Sequence, residues 1–100
     1  MIKILIVDDL QSKREKILKA ILDNHDILEK NITQAKCVNE AKKILYQEYF
    51  DLMILDLVLP VEEGGESNAK NAIGFLNNIE INPSIHPPIH IVGISSYKDR

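Results

Sequence analysis

The sequence predicts a single α/β domain in which helices cover both faces of a doubly wound parallel sheet, in three layers. Short runs of β-branched and other apolar residues alternate along the chain with segments whose apolar residues recur at helical spacing. The connections between the runs are long enough to hold a helix, and such connections join parallel strands by right-handed crossovers. The 100 residues, 45% of them apolar, suffice for one small domain with a core of its own.

The N-terminal part of the chain predicts a central strand and then a helix. The run "IKILIVDD" (Ile2–Asp9) is apolar at successive positions, which is typical of a parallel strand buried on both faces. Ser12, with Glu15 three residues later, forms a capping-box pattern. The apolar residues that follow lie on one helical face, namely Ile17, Leu18, Ile21 and Leu22. We therefore expect the first helix to begin at Ser12.

The middle of the chain predicts a second strand, a second helix and a third strand. The segment "ITQAKCV" (Ile32–Val38) alternates as a strand does, and Asn39 is a suitable residue to cap the helix after it. The positions of this helix that we expect to face inward are Ala41, Ile44, Leu45 and Tyr49. A third strand follows from Leu52 to Asp56.

The remaining segments predict a loop, a third helix and a fourth strand. The polar stretch "VEEGGESNAK" (Val61–Lys70) contains two glycines and indicates a loop. Ile73, Leu76 and Ile79 give a third helical face. After a proline-rich connection, "IHIVGISS" (Ile89–Ser96) predicts a strand that ends in two hydroxyl residues.

Composition excludes several classes of function. The net charge is −3, and no basic patch with interleaved aromatic residues indicates direct binding of nucleic acid. The apolar runs are shorter than a membrane span, and no signal peptide is visible, so we expect no membrane association. Cys37 is the single cysteine, and His25, His86 and His90 lack the spacing of a zinc site. A reduced, cytoplasmic setting is the expectation.

Acidic and hydroxyl residues lie where the predicted strands end. Asp8 and Asp9 end the first strand, Asp56 the third, and Ser95 and Ser96 the fourth. In doubly wound sheets, binding and catalytic groups lie beyond the carboxyl ends of the strands. If these strands are neighbours, the three carboxylates and two hydroxyls converge on one crevice.

The type of residue in this crevice favours a hard cation. Asp56 lies within the apolar run "DLMILDLVLP", where an unpaired buried carboxylate would cost several kcal/mol. Carboxylates that lie close together repel one another unless a cation or protons intervene, and an oxygen-only cluster suits Mg²⁺. A carboxylate in such a site can also attack phosphorus. The alternative is that these acids are turn residues or caps, with Asp9 capping the first helix.

Three motifs together resemble a known family. "ILIVDD", then "DLMILDLVLP", then "IVGISSY" resemble the receiver domain of two-component response regulators, over essentially the whole chain. The resemblance implies a flavodoxin-like (CheY-like) fold. It also implies that Asp56 accepts a phosphoryl group from the phosphohistidine of a sensor histidine kinase or a phosphotransfer protein. The domain would then be a signalling switch with at most weak self-catalytic chemistry, and no metabolic enzyme.

The resemblance also implies a metal site and a switch. Asp8 and Asp9 match the acidic pair that holds Mg²⁺, with Asp9 and Asp56 as direct ligands. The backbone carbonyl of Val58 would supply a further oxygen. Ser95 matches the hydroxyl residue that moves toward the phosphoryl oxygens and so links phosphorylation to a change of surface.

Two further positions match the family's pattern. Pro60 matches the proline that closes the loop after the third strand, and Ser96 is interpreted as a small residue that borders the pocket.

The sequence departs from the family at its end. A fifth strand and fifth helix, with a lysine that pairs with the phosphoryl group, should follow Arg100; Lys98 is too early to be that lysine. We therefore expect residues 1–100 to be a partial receiver domain from a longer protein; the alternative is a degenerate receiver that lacks these elements. The fourth strand would become an edge with exposed Ile89, Ile91, Val92 and Ile94, which predicts self-association.

A second departure is the length of the segment that follows the third strand. Residues 61–72 contain an insertion relative to the family, interpreted either as a tolerated surface loop or as an acidic loop that gates access.

Two other functions remain open from the sequence. The first is a pseudo-receiver that binds a protein partner without being phosphorylated. The second is a Mg²⁺-dependent phosphohydrolase with an aspartate nucleophile. Those enzymes usually place two acids in a D-x-D arrangement after the first strand, whereas Asp8 and Asp9 are adjacent here.

Overall fold

A computed structural model describes residues 1–94 of the chain. Its elements, in chain order, are β1 (Ile4–Val7), α1 (Gln11–Leu22), β2 (Ile32–Ala35), α2 (Val38–Gln47), β3 (Leu52–Asp56), α3 (Ala69–Ile81) and β4 (His90–Ile94). A single turn of 3-10 helix, Glu29–Asn31, precedes β2. The strands form one parallel sheet in the order β2-β1-β3-β4. This confirms the predicted doubly wound α/β fold.

The register of the sheet brings the ends of β1 and β3 together. Val7 is aligned with Ala35 of β2 on one side and with Leu55 of β3 on the other. The chain leaves β1 toward one edge of the sheet and leaves β2 toward the other, so the strand order reverses between β1 and β3. In open α/β sheets this switch point is where ligands bind. The residues that follow Val7 and Leu55 therefore lie at the crevice.

The main core lies between one face of the sheet and helices α2 and α3. Alternate residues of β1 and β3 point to this face and are fully buried, namely Leu5, Val7, Met53 and Leu55. The helices contribute Ala41, Leu45, Phe75 and Ile79. Burial of one large apolar side chain is worth about 1.5–3 kcal/mol, so this face dominates the stabilisation of the sheet.

Helix α1 covers the opposite face less completely. Ile4 and Ile6 of β1 are buried there, but the apolar residues predicted for α1 are only half-buried, namely Ile17, Leu18, Ile21 and Leu22. The buried side chain of α1 is Arg14. Its guanidinium donates to the backbone oxygen of Asp8 at 2.7 Å and to Gln34 Oε1 at 3.1 Å. The helix is thus fixed by polar contacts as well as by its apolar face.

Two of the predicted helix caps are wrong. Helix α1 begins at Gln11, after Leu10, so Ser12 lies inside the first turn and caps nothing. Helix α2 begins at Val38, with Cys37 at the cap position and Asn39 in the first turn. The reason is tertiary for α2: its first N–H groups donate to the carbonyls at positions 60 and 61, at 3.1 and 2.9 Å. Backbone from a distant loop replaces the side-chain cap.

Helix α3 begins earlier than its apolar pattern predicted. The loop expected to reach Lys70 ends at Asn68, whose side chain caps the helix by accepting from the Asn71 N–H at 3.1 Å. The residues that α3 buries are Ala72, Phe75 and Ile79, whereas the predicted Leu76 is half-buried and Ile73 is exposed. Tyr49, predicted to face inward, is 68% exposed and stacks on His86.

Strand β4 forms an edge of the sheet within residues 1–94. Ile89, Ile91 and Val92 are exposed, as predicted, while Ile94 is half-buried. In the same range, no helix combines the length and the apolar character that crossing a membrane requires. Ser95, Ser96 and Lys98, singled out in the sequence, lie outside the described residues.

Candidate functional site

Three carboxylates meet at the carboxyl edge of the sheet. β1 leads directly into Asp8 and Asp9, and Asp56 is the last residue of β3. One oxygen from each lies within 4.8 Å of the others. Asp8 and Asp56 are buried, and Asp9 is half-buried. The parallel register brings together residues that lie far apart in the sequence.

Backbone N–H groups fix one oxygen of each buried carboxylate. Asp8 Oδ1 accepts from the N–H of Leu10 at 2.9 Å, and Asp56 Oδ1 accepts from the N–H of Val58 at 3.0 Å. Both bonds join residues two apart, as short polar side chains at turns commonly do. They hold the two side chains in place and leave Oδ2 of each for other contacts. Val58, predicted to offer its carbonyl, is half-buried in this loop.

A lysine that the sequence analysis did not single out lies in the cluster. Lys13 Nζ lies 3.0 Å from Asp8 Oδ2 and 3.6 Å from Asp56 Oδ2, and its side chain is 20% exposed. Lys13 is the third residue of α1, the helix that follows Asp8 and Asp9. Helical side chains lean toward the N-terminus, so a lysine in this first turn was the signal available in the sequence.

The second oxygen of Asp8 lacks a hydrogen-bond donor. Asp8 Oδ2 is fully buried and accepts no hydrogen bond within the described part of the chain, although the Lys13 ammonium is close to it. The pair therefore has an ionic contact that is not aligned as a hydrogen bond. A buried carboxylate oxygen in this situation is suited to bind a cation, since its negative charge is costly to bury without a positive one nearby.

The electrostatics of the site show an excess of negative charge. Burial raises the pKa of Asp56 above its ordinary value; the N–H of Val58 lowers it, and the charge of Asp8 raises it further. For Lys13, burial lowers the pKa, but the attraction of Asp8 and then of Asp56 outweighs it and the pKa is raised. Lys13 therefore keeps its charge at neutral pH. One ammonium faces three carboxyl groups, and this oxygen-rich, anionic set fits Mg²⁺.

The loop of residues 61–68 forms a wall of the site. Ser67 Oγ lies 3.4 Å from Asp9 Oδ2, and Lys36 Nζ lies 3.4 Å from Glu63 Oε2. A cavity of about 270 Å³ lies between the loop and Asp9. It is lined by Asp9, Lys36, Pro60, Glu63, Gly64 and Gly65. The sequence analysis did not associate Ser67 or Lys36 with the site, because their proximity depends on how the loop folds back.

Hydrogen bonds give the loop a defined course. Gly64 has a φ of 82°, which glycine adopts without strain, and the N–H of Gly65 donates to the carbonyl of Glu62 at 2.9 Å. The side chain of Asn71 donates to the carbonyls of Leu59 and Glu66, at 2.7 and 3.1 Å. The wall of the site is thus tied to the start of α3.

A larger groove lies at the opposite end of the sheet. Its volume is about 670 Å³, and Ile2, Asp51, Leu52 and residues 89–92 line it. These residues lie at the amino ends of β1, β3 and β4, away from the acidic cluster. The groove is mostly apolar and holds no set of catalytic groups.

Curated proteins similar to this chain are longer than it is. The chain is 35% identical over 94 residues to an uncharacterized protein, y4jS, of Sinorhizobium fredii. It is 30% identical over 87 residues to the sensory transduction protein LytR of Streptococcus agalactiae serotype V. These matches cover 94% and 87% of the chain but only 22% and 31% of the relatives. The chain thus spans less than a third of the length of either. No family model matches it.

Solved structures share the architecture. An aspartate-to-alanine mutant of the response regulator MaeR, bound to sulfate, superposes with a TM-score of 0.64 at 21% identity. The match covers 95% of this chain and 67% of that one. The N-terminal domain of the uncharacterized protein WS1339 from Wolinella succinogenes gives 0.64 at 23% identity, covering 96% and 65%. At these identities the likeness establishes the fold.

Proposed function

We propose that this chain is a receiver domain of the response-regulator type, which accepts a phosphoryl group on Asp56 and acts as a phosphorylation-controlled switch; its fold and its similarity to a sensory transduction protein support the proposal. The observation that carries the proposal is the cluster of Asp8, Asp9 and Asp56 at the switch point of the sheet. The donor would be the phosphohistidine of a sensor histidine kinase or of a phosphotransfer protein.

The residues of the site would have separate roles in phosphoryl transfer. Asp56 is the nucleophile: its carboxylate oxygen forms a bond to phosphorus while the phosphorus–nitrogen bond of the donor breaks and the imidazole leaves. The N–H of Val58 holds Asp56 Oδ1 and so orients the carboxylate for this attack. Burial of Asp56 limits the access of water to the resulting acyl phosphate.

The same residues fit a divalent metal ion. Asp8, Asp9, Asp56 and the backbone carbonyl of Val58 would hold Mg²⁺, which supplies positive charge to the phosphoryl oxygens. Three observations support the assignment: the carboxylate oxygens lie within 4.8 Å of one another, Asp8 Oδ2 is buried without a hydrogen-bond donor in residues 1–94, and the site is anionic.

Phosphorylation would be transmitted to partners as a change in the surface of the domain. Phosphorylation adds a charge of about −1.5 to −2 to a site that is already anionic, and the protein must reorganise around it. The hydroxyl of Ser95 would respond to the phosphoryl group, with Ser96 as the neighbouring small residue; both lie outside the described residues. We assign the domain a signalling role in the cytoplasm with at most weak self-catalytic chemistry, and no direct contact with nucleic acid. The similarity of the chain to LytR, a sensory transduction protein, supports a signalling role.

Labelling with a small phosphodonor tests the proposal. Incubation with acetyl phosphate and Mg²⁺ should add one phosphoryl group, measured by intact mass, and Asp56→Asn should abolish the addition. Asp51→Asn is the matched control, because Asp51 lies beside the opposite end of β3 and its side chain accepts from the Lys3 N–H at 2.8 Å. It should be labelled as the unaltered protein is. Lack of labelling in the unaltered protein would support a pseudo-receiver that binds partners without phosphorylation. Labelling that survives Asp56→Asn would overturn Asp56 as the phosphoacceptor.

A further inference from the structure

We propose that the ammonium of Lys13 neutralises Asp8 and Asp56 in the metal-free protein. A divalent cation must displace this ammonium in order to bind. The inference rests on the proposed function, because it concerns the same site. It assigns to this chain's own lysine a role in setting the affinity for the metal.

The contacts of Lys13 carry the first step. Its Nζ lies 3.0 Å from Asp8 Oδ2 and 3.6 Å from Asp56 Oδ2. Both carboxylates are buried, and the lysine side chain is largely buried with them. A buried pair of carboxylates requires a nearby positive charge, since their mutual repulsion is weakly screened. Lys13 supplies that charge when no metal is present.

The anchoring of α1 carries the second step. Arg14, the next residue, donates to the backbone oxygen of Asp8 at 2.7 Å and to Gln34 Oε1 at 3.1 Å. These bonds join the first turns of α1 to the loop after β1 and to β2. The backbone of Lys13 is therefore held beside the cluster, and only its flexible side chain can move.

Competition for the same oxygens carries the third step. Asp8 Oδ2 and Asp56 Oδ2 are the oxygens that contact Lys13 Nζ, and both carboxylates belong to the set that would hold a divalent ion. Two cations so close to each other repel, and the buried oxygens cannot serve both. Lysine has a long stem that lets its ammonium reach solvent, so Lys13 can leave while α1 stays in place. The free energy needed to displace Lys13 from the carboxylates therefore weakens metal binding.

The test measures Mg²⁺ affinity in variants of Lys13. Lys13→Met removes the charge and keeps the length of the side chain, whereas Lys13→Arg keeps the charge. Lys16→Met is the control, because Lys16 is exposed on the same helix. Mg²⁺ is titrated at constant ionic strength while NMR follows the amides of Leu10 and Val58, which donate to Asp8 and Asp56.

Lys13→Met should bind Mg²⁺ about tenfold more tightly, within the usual range of coupling between two sites. Lys13→Arg and Lys16→Met should stay close to the unaltered protein. If Lys13→Met proves unfolded by circular dichroism, Lys13→Gln takes its place. Unchanged or weaker affinity in the neutral variant overturns the inference and leaves the proposed function intact. Absence of Mg²⁺ binding in every variant overturns both the inference and the proposed metal site.

Discussion

Asp56 is a carboxyl group at the end of a buried strand, and its neighbours determine how costly its negative charge is. The N–H of Val58 and the ammonium of Lys13 stabilise the charge, while burial and the charge of Asp8 oppose it. The balance raises the pKa of Asp56. The protein thus keeps an acid at a position where a neutral side chain would make the folded state more stable. This is typical of a functional site.

We predict that Asp56→Asn stabilises the metal-free protein at neutral pH. Because the pKa of Asp56 is raised on folding, the folded state binds its proton more readily than the unfolded chain, whose value is near 3.8. Ionised Asp56 therefore disfavours folding, and stability falls as pH rises through the window from 3.8 up to the folded pKa. Asparagine is neutral at every pH and its oxygen can still accept from Val58.

Urea denaturation in EDTA, at neutral pH and again well below the pKa of the unfolded acid, measures the effect. The free energy of unfolding of Asp56→Asn should exceed that of the unaltered protein at neutral pH, and the difference should shrink at low pH. A variant that is less stable at neutral pH would show that the ion pair with Lys13 outweighs the cost of burial.

Helices α2 and α3 begin by different means, and the difference connects both to the site. The first turn of α2 donates to the carbonyls of Pro60 and Val61, in the loop that follows Asp56. Helix α3 is capped by Asn68, at the end of the same loop. The loop beside Asp56 is therefore attached to a helix at each side. We expect a conformational change in this loop to shift the first turns of α2 and α3 and so alter the surface that they form.

We predict that Asn68→Ala lowers the free energy of unfolding by about 1 kcal/mol, the usual cost of losing a side-chain cap. The side chain of Asn68 accepts from the N–H of Asn71, which would lose its partner. Asn68→Ser keeps an oxygen at this position and should lose much less. Chemical denaturation of the unaltered protein, Asn68→Ala and Asn68→Ser measures the three free energies of unfolding. Equal values for the two variants would mean that the side-chain cap contributes nothing.

At the scale of the whole molecule, the two faces and edges of the sheet are unequally covered. One face is packed against α2 and α3, whereas the region around β4 exposes apolar side chains. Ile89 is 70% exposed and Val92 48%, and both line the groove of about 670 Å³. Exposed apolar edge strands are sites of association between chains.

We predict that the 100-residue chain self-associates through this region. Sedimentation velocity should show a weight-average mass that rises with concentration, because pairing would remove apolar surface from water. Val92→Lys should shift the equilibrium toward monomer, since a charge on an edge strand opposes pairing. Ile81→Lys is the control: Ile81 is equally apolar and 75% exposed, but it lies at the end of α3. A mass that stays monomeric at all concentrations would contradict the prediction.

The sequence by itself determined the order of elements, the parallel sheet and the convergence of the three acids. These follow from local periodicity and from one geometric rule: parallel strands that are neighbours bring their carboxyl ends to the same edge. The bounds of β3, Leu52–Asp56, were predicted correctly because a continuous apolar run ends there in an acid.

Only the tertiary structure decided which groups surround those acids. The contact of Lys13 with Asp8 and Asp56 depends on how α1 is anchored to the sheet, and the approach of Ser67 to Asp9 depends on the path of a loop. The cap predicted at Asn39 failed for the same reason, because the first N–H groups of α2 donate to carbonyls of a distant loop. A backbone N–H binds whichever acceptor the fold brings within reach, and the local sequence does not record carbonyls that come from elsewhere in the chain.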